Sequence, residues 1–362
     1  MNILILGGTG AMGTHLCLIL AGGENKIFVT SRKNRQNVNG ITFVKGNAHN
    51  LEFIRSLLKE IRWDAVIDFM TYTTSEFKER IELYLDSTKQ YIFLSSSRVY
   101  SESSSPISED SPLILNTCND LEYLSTDEYA LKKARQERIL KDTGKNNWTV
   151  IRPYVTFSEQ RLQLSALEKE YWLYRALKGR TIVFSKDIAD KRTTFTYGFD
   201  VANGIASLIG KETAYGQAFH ITNNEIHTWN EILKYYVDIL ESILGKRPKV
   251  LMLDEWKPFM GGNKYQVKWD RLYDRTFNTN KINKYINTTK FSPTFTALSE
   301  CINGFIAKPL FKQINWSSEA VKDRLTGEWA NISEIKGVRH KLIYYLARLG
   351  IYSRYEKTDE WL

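Results

Sequence analysis

Tyr129 and Lys133, in 125-STDEYALKKARQE-137, stand four residues apart in a segment of helical character, so a phenol and an ammonium share one face. A phenol with a pKa of about 10 is a poor base at neutral pH unless its anion is stabilised, and a cation one helical turn away does that. A second reactive group is the serine run in 90-QYIFLSSSRVY-100, where an apolar stretch ends in Ser95, Ser96 and Ser97. A third is 7-GGTGAMG-13, with Gly7, Gly10 and Gly13 at three-residue intervals directly behind an apolar run. In such a loop the first glycine permits a tight turn and the second lets backbone N–H groups approach a pyrophosphate. The third lets the following helix pack close to the strand. With Thr9, Ala11 and Met12 between them, these residues would seat a diphosphate at a helix N-terminus. The fourth is 27-IFVTSRKNRQN-37, where Arg32, Lys33 and Arg35 follow an apolar run. It reads as a nucleic-acid patch, a solvated turn or the grip on one particular phosphate.

The elements that must position these groups are legible up to residue 155. Strands are expected at 2–6, 26–30, 42–45, 65–68, 90–94 and 148–151, and helices at 12–20, 51–61, 75–85 and 128–141. Strands that are nearly all apolar, separated by helices, indicate a parallel sheet covered on both faces and doubly wound by right-handed crossovers. The fold class is therefore α/β. After Pro153 the pattern loosens, aromatic residues become frequent, and long polar loops appear, notably over residues 256–278. A smaller, largely helical region is expected there, with residues 317–361 forming helices that end in a polar tail.

Bulk composition bounds the alternatives. The 362 residues allow two domains, and 43% hydrophobic with 25% charged residues is ordinary for a globular protein. The formal net charge of +9 suits a phosphate-bearing partner without specifying one. Three scattered cysteines (Cys17, Cys118, Cys301) form neither a disulfide framework nor a CxxC zinc site, and packed thiols are expected. The N-terminal apolar run stops after about five residues, short of the ~7–15 of a signal peptide, which makes a cytoplasmic protein without a membrane span the expectation.

The glycine spacing GxxGxxG, the YxxxK pair at Tyr129 and Lys133, and the serines ahead of Val99-Tyr100 together resemble the short-chain dehydrogenase/reductase superfamily. They point to its extended branch, the NAD-dependent epimerase/dehydratase family that modifies nucleotide sugars. The resemblance runs to about residue 300. It implies a Rossmann-like dinucleotide-binding domain over 1–155, completed by parts of 195–225 and 280–305. Residues 156–362 would be mainly substrate-binding and interleaved with it. It also implies that Ser96 and Tyr129 contact the reacting substrate oxygen while Lys133 reaches the nicotinamide ribose. Related dehydratases carry Asp-Glu where this chain has Ser97-Arg98, so dehydration is not expected. Reduction of a 4-keto sugar, or C4 epimerisation with tightly bound cofactor, needs only serine, tyrosine and lysine.

The resemblance further matches Arg192, in 191-KRTTFTYGFDVANGIA-206, and Arg275, in 273-YDRTFNTNKI-282, to arginines that bracket a substrate diphosphate. Residues 256–275 would hold the nucleotide base. Asn47, where relatives often have aspartate, would face the adenine, and 68-DFMTY-72 is bulkier than its counterpart. NAD enzymes place an acidic residue at the end of the second strand to bind the ribose 2′-hydroxyl. Here Ser31 and Arg32 stand there instead, which favours NADP, with NAD as the second choice. Relatives often dimerise through the tyrosine-bearing helix, so a homodimer is one expected assembly. Two non-enzymatic readings share the fold: an RNA-binding protein and a redox sensor. The basic residues form no long stripe, which argues against nucleic acid, and the intact Ser96, Tyr129 and Lys133 argue against a sensor.

Overall fold

Along β1 (Asn2–Leu6), Ile3 and Ile5 enter one apolar cluster while Leu4 and Leu6 enter another. A strand that is apolar on both faces has to be covered on both, and this dictates the architecture of the whole sheet. The computed structural model describes residues 1–38 and 40–352. It places β1 inside a sheet of seven parallel strands. The others are β2 (Lys26–Ser31), β3 (Ile41–Lys45), β4 (Trp63–Asp68), β5 (Thr88–Leu94), β6 (Trp148–Pro153) and β7 (Gln217–Ile221). Their spatial order is β7-β6-β5-β4-β1-β2-β3. Ile3 lies opposite Ile27 on one side and Ala65 on the other.

The covering helices follow from the same alternation. Leu16 and Leu20 of α1 (Gly13–Ala21) share one cluster with Ile3 and Ile5. Ile54 and Leu57 of α2 (Leu51–Glu60), Phe77 and Ile81 of α3 (Thr74–Ser87) and Leu140 of α4 (Tyr129–Asp142) share the other with Leu4 and Leu6. Val201 and Ile205 of α5 (Gly198–Leu208) join the α1 side. Local chemistry fixes where helices begin. Asn50 accepts from Phe53 N–H ahead of α2, and Thr73 with Glu76 forms a capping box ahead of α3. α1 has no side-chain cap; Thr14 N–H in its first turn donates to the Gly10 carbonyl at 3.0 Å. The strand order reverses between β1 and β4, and in open α/β sheets ligands bind beyond the strand ends at such a point.

The chain divides into two compact units. The first comprises Met1–Ser158, Thr194–Glu225 and Thr276–Ala297, and holds the sheet. The second comprises Glu159–Thr193, Ile226–Arg275 and the residues from Leu298 onward. Taken by itself, the second unit is built from helices, including Trp229–Leu244, Trp316–Thr326 and Val338–Arg348, and two short strand pairs. Arg175 and Arg180, both buried, pair with Glu319 and Asp323 of the Trp316–Thr326 helix, so a polar helix is internal here. The expected loop over 256–275 contains short helical turns at Lys264–Gln266 and Val267–Arg271. The expected polar tail beyond residue 352 lies outside the described residues. Cys17 and Cys301 are buried as expected, whereas Cys118 is partly exposed. Among the described residues no helix is long and apolar enough to cross a membrane, and no side-chain group is arranged to hold a metal.

Candidate active site

Tyr129 is the first residue of α4, and the preceding Glu128 caps the helix by accepting from Ala130 N–H at 2.8 Å. Successive i+4 steps from Tyr129 reach Lys133 and Glu137, and each meets the segment that ends β5. The Arg98 guanidinium lies 5.3 Å from the Tyr129 ring centroid. Lys133, 2% exposed, donates from Nζ to the Leu94 carbonyl at 2.8 Å and sits 4.5 Å from the Phe93 ring centroid. Glu137 accepts from the Ser95 hydroxyl at 2.5 Å and pairs with buried Arg152 of β6. One helix face is thus fastened to the end of one strand at three levels.

That fastening sorts the three serines. Ser95 is engaged by Glu137, and Ser97 donates to the Arg152 carbonyl at 2.7 Å. Ser96 accepts from Arg98 N–H at 3.2 Å, which leaves its own hydroxyl proton to be donated. The sequence reading passed over Glu137 and Arg152, although Glu137 falls on the same four-residue period as the tyrosine and the lysine.

Burial decides the protonation of the lysine. Loss of solvent pulls the Lys133 pKa down to about 7, and the carboxylate of buried Asp68, at the end of β4, works in the opposite direction. Burial likewise pushes the Asp68 pKa up, against hydrogen bonds from Met70 N–H and the Tyr91 hydroxyl. Glu128 is also buried, yet Arg98 and the Ala130 N–H hold its carboxyl below the usual range.

The glycine loop fits a dinucleotide. Gly7 has φ +69°, a conformation that side chains disfavour, and a Cβ there would lie 2.9 Å from the Met70 sulfur. A Cβ on Gly13 would lie 2.6 Å from Gly8 Cα, so α1 comes as close to the turn as the spacing required. Beside Gly10 there is open space, next to the uncapped start of α1 and near Thr9, Ala11 and Met12. Room beside a helix N-terminus is what a pyrophosphate needs. The bulky 68–72 segment meets this loop through Met70, while its ends are engaged elsewhere. Asp68 bonds Tyr91, and Tyr72 is fully buried with its hydroxyl 3.1 Å from that of Tyr84.

At the end of β2 the two expected contacts differ. The Ser31 hydroxyl donates to the Lys33 carbonyl at 2.9 Å and accepts from Lys33 N–H, so it closes its own turn. Arg32 is exposed. Asn47 is exposed as well, its side-chain oxygen accepting from His49 N–H at 3.1 Å. Both substrate arginines belong to the second unit. Arg192 is 57% exposed and pairs with Asp274 at 2.9 Å. Arg275 is fully buried, 2.9 Å from Asp270 and donating to the Trp269 carbonyl. A guanidinium held inside in this way is a structural tie of its own unit, and of the two arginines Arg192 is the one that presents charge at the surface.

A doubly wound sheet, a glycine turn ahead of an uncapped helix and a tyrosine–lysine helix against a serine strand end define an enzyme of the extended short-chain dehydrogenase/reductase type. The profile of the NAD dependent epimerase/dehydratase family matches residues 3–221, ending on the last residue of β7, and the chain belongs to that family. No curated protein matches the sequence itself. Solved structures do match the fold. The enzyme WbmH of Bordetella bronchiseptica, in complex with NAD+, superposes with a TM-score of 0.66 at 14% identity over 85% of this chain and 99% of its own. The UDP-glucuronic acid 4-epimerase of Bacillus cereus, in complex with NAD, gives 0.62 at 17% over 84% and 99%. The dTDP-glucose 4,6-dehydratase of Bacillus anthracis, in complex with NAD, gives 0.63 at 17% over 85% and 97%. At these identities the likeness is one of fold.

Proposed function

We propose that this chain is an NADP-dependent oxidoreductase that reduces a 4-keto group on a nucleotide-activated sugar. The observation that carries the reading is the alignment of Tyr129 and Lys133 along the end of β5, with Ser96 the serine whose proton is left to donate. The bound nicotinamide supplies the hydride. Tyr129 gives its phenolic proton to the sugar oxygen, on which negative charge develops. Ser96 donates a hydrogen bond to that oxygen and orients it, and Lys133 supplies positive charge beside the resulting phenolate. Arg98 occupies the place where related dehydratases carry a carboxylate, so no acid/base pair for elimination stands beside the serine. Arg192 is assigned to the substrate diphosphate.

C4 epimerisation is the second reading, since it uses the same three residues and a 4-epimerase is among the fold neighbours. A panel of nucleotide sugars separates the two. Net oxidation of added NADPH by a 4-keto substrate is expected, and isomer conversion with no net cofactor change would establish the epimerase instead.

Choice of cofactor rests on Arg32. It is exposed at the end of β2, where the chain has no acidic residue from Thr30 to Val38 to repel a 2′-phosphate. Because Ser31 closes its own turn, the guanidinium carries the preference. Arg32→Ala is expected to lower the ratio of NADPH to NADH affinity by roughly 10-fold or more, in line with a charge-assisted contact of about 1.5–3 kcal/mol. Titration by cofactor fluorescence measures it, and an unchanged ratio returns Arg32 to the solvated surface.

A further inference from the structure

Arg98 is the residue of this site whose chemistry the reaction does not use. Its backbone N–H donates to Ser96 Oγ at 3.2 Å, and its guanidinium lies 5.3 Å from the Tyr129 ring centroid. Nη2 donates to Glu128 Oε1 at 2.7 Å, and Glu128 in turn caps the helix that Tyr129 begins. Glu128 Oε2 accepts from the Tyr123 hydroxyl at 3.0 Å, so the carboxylate is held from a third side. The Arg98 side chain is only 10% exposed, and its Nε is buried without a hydrogen-bond partner. A buried, incompletely paired guanidinium calls for a reason beyond packing.

We propose that Arg98 is the positioning residue of the Ser96–Tyr129 pair: through its main chain it sets the serine hydroxyl, and through its Glu128-locked guanidinium it sets the tyrosine ring and the charge the phenol faces. This rests on the reading of Tyr129 as the proton donor. The two halves of the site come from separate stretches of sequence, and Arg98 touches both. The guanidinium is permanently charged, unlike Lys133, whose burial brings its own ionisation near neutral pH. Other charges near the ring include Lys132, 5.9 Å from the centroid, Lys133 one turn along the helix, and Glu128. With Glu128 neutralising part of Arg98, the surplus facing the phenol is positive and favours the phenolate.

A substrate-free measurement tests it. The near-ultraviolet absorbance of ionised phenol is titrated with pH in the intact chain, and subtraction of the Tyr129→Phe titration isolates one tyrosine. Arg98→Gln is expected to move that midpoint to higher pH, so that at a fixed alkaline pH the ionised fraction falls several-fold. Arg98→Lys keeps the charge and is expected to restore most of it. Should Arg98→Gln not fold, Arg98→Met with Glu128→Gln removes the guanidinium without stranding a buried carboxylate, and the same upward shift is expected. An unmoved midpoint overturns the proposal, as does a shift that Arg98→Lys fails to recover. Because no substrate is involved, that outcome is separate from failure of the functional reading, which turnover of Tyr129→Phe decides.

Discussion

Tyr129→Phe is expected to lower kcat by ~10²–10⁴-fold while leaving NADPH affinity within about a factor of two. The argument is local. Phenylalanine keeps the ring beside Arg98 and the helix start capped by Glu128, and removes the oxygen that exchanges the proton. The glycine loop, which is assigned to the cofactor, lies on another segment and keeps its geometry. Thermal unfolding alongside steady-state oxidation of NADPH separates loss of chemistry from loss of fold. Near-normal turnover with intact folding would remove Tyr129 from the mechanism, and the assignments of Ser96 and Lys133 with it.

Lys133→Met should give the opposite sign for activity and stability. Turnover is expected to fall by on the order of 10²-fold or more, because the phenolate loses the buried cation one helical turn away. Stability is expected to rise near neutral pH. Burial depresses the folded-state pKa of Lys133 to about 7, below its value in the unfolded chain. The unfolded state therefore binds more protons over the interval between them, and wild-type stability rises as pH climbs through it. The penalty is complete below about 7 and fades toward the ordinary lysine range of ~10.4. Methionine carries no such penalty, although the Leu94 carbonyl loses its bond, a cost of about 1 kcal/mol. A net gain of about 1–3 kcal/mol near pH 6, shrinking toward pH 10, is expected in urea denaturation. A variant less stable than wild type at both pH values would mean that the buried ammonium is not a liability.

What the sequence disclosed follows from how far apart the determinants lie. Strands such as ILIL at β1 and AVI at β4 are apolar on both faces, a property visible within five or six residues, and six of the seven strands are legible for that reason. β7, QAFHI, escaped because it opens on a glutamine and carries a buried histidine, His220, among its apolar residues. The glycine loop is legible because its spacing and its backbone geometry are the same information. The Ser31 turn is a two-residue hydrogen bond that competes with a ligand, and no residue type announces which side wins. Arg275 reads as a ligand for a substrate diphosphate, and its enclosure by Asp270 and the Trp269 carbonyl is invisible at that level. Glu137 and Arg152 show the same limit at the heart of the site, since burying each charge depends on a partner on another element. Charge position is the least local property of the fold.

The seventh strand has a consequence for synthesis. β6 pairs with β5 on one side through residues such as Ile92 and Thr149, and on the other with β7, which ends at Ile221. A ribosome delivers β6 well before β7, so the nascent sheet carries the open edge of Trp148–Pro153 while the intervening residues emerge. That edge is buried along its whole length in the finished protein. An unpaired apolar edge is a template for association with another chain. The interval between the two strands is therefore when a newborn chain of this enzyme most needs to be kept from its neighbours.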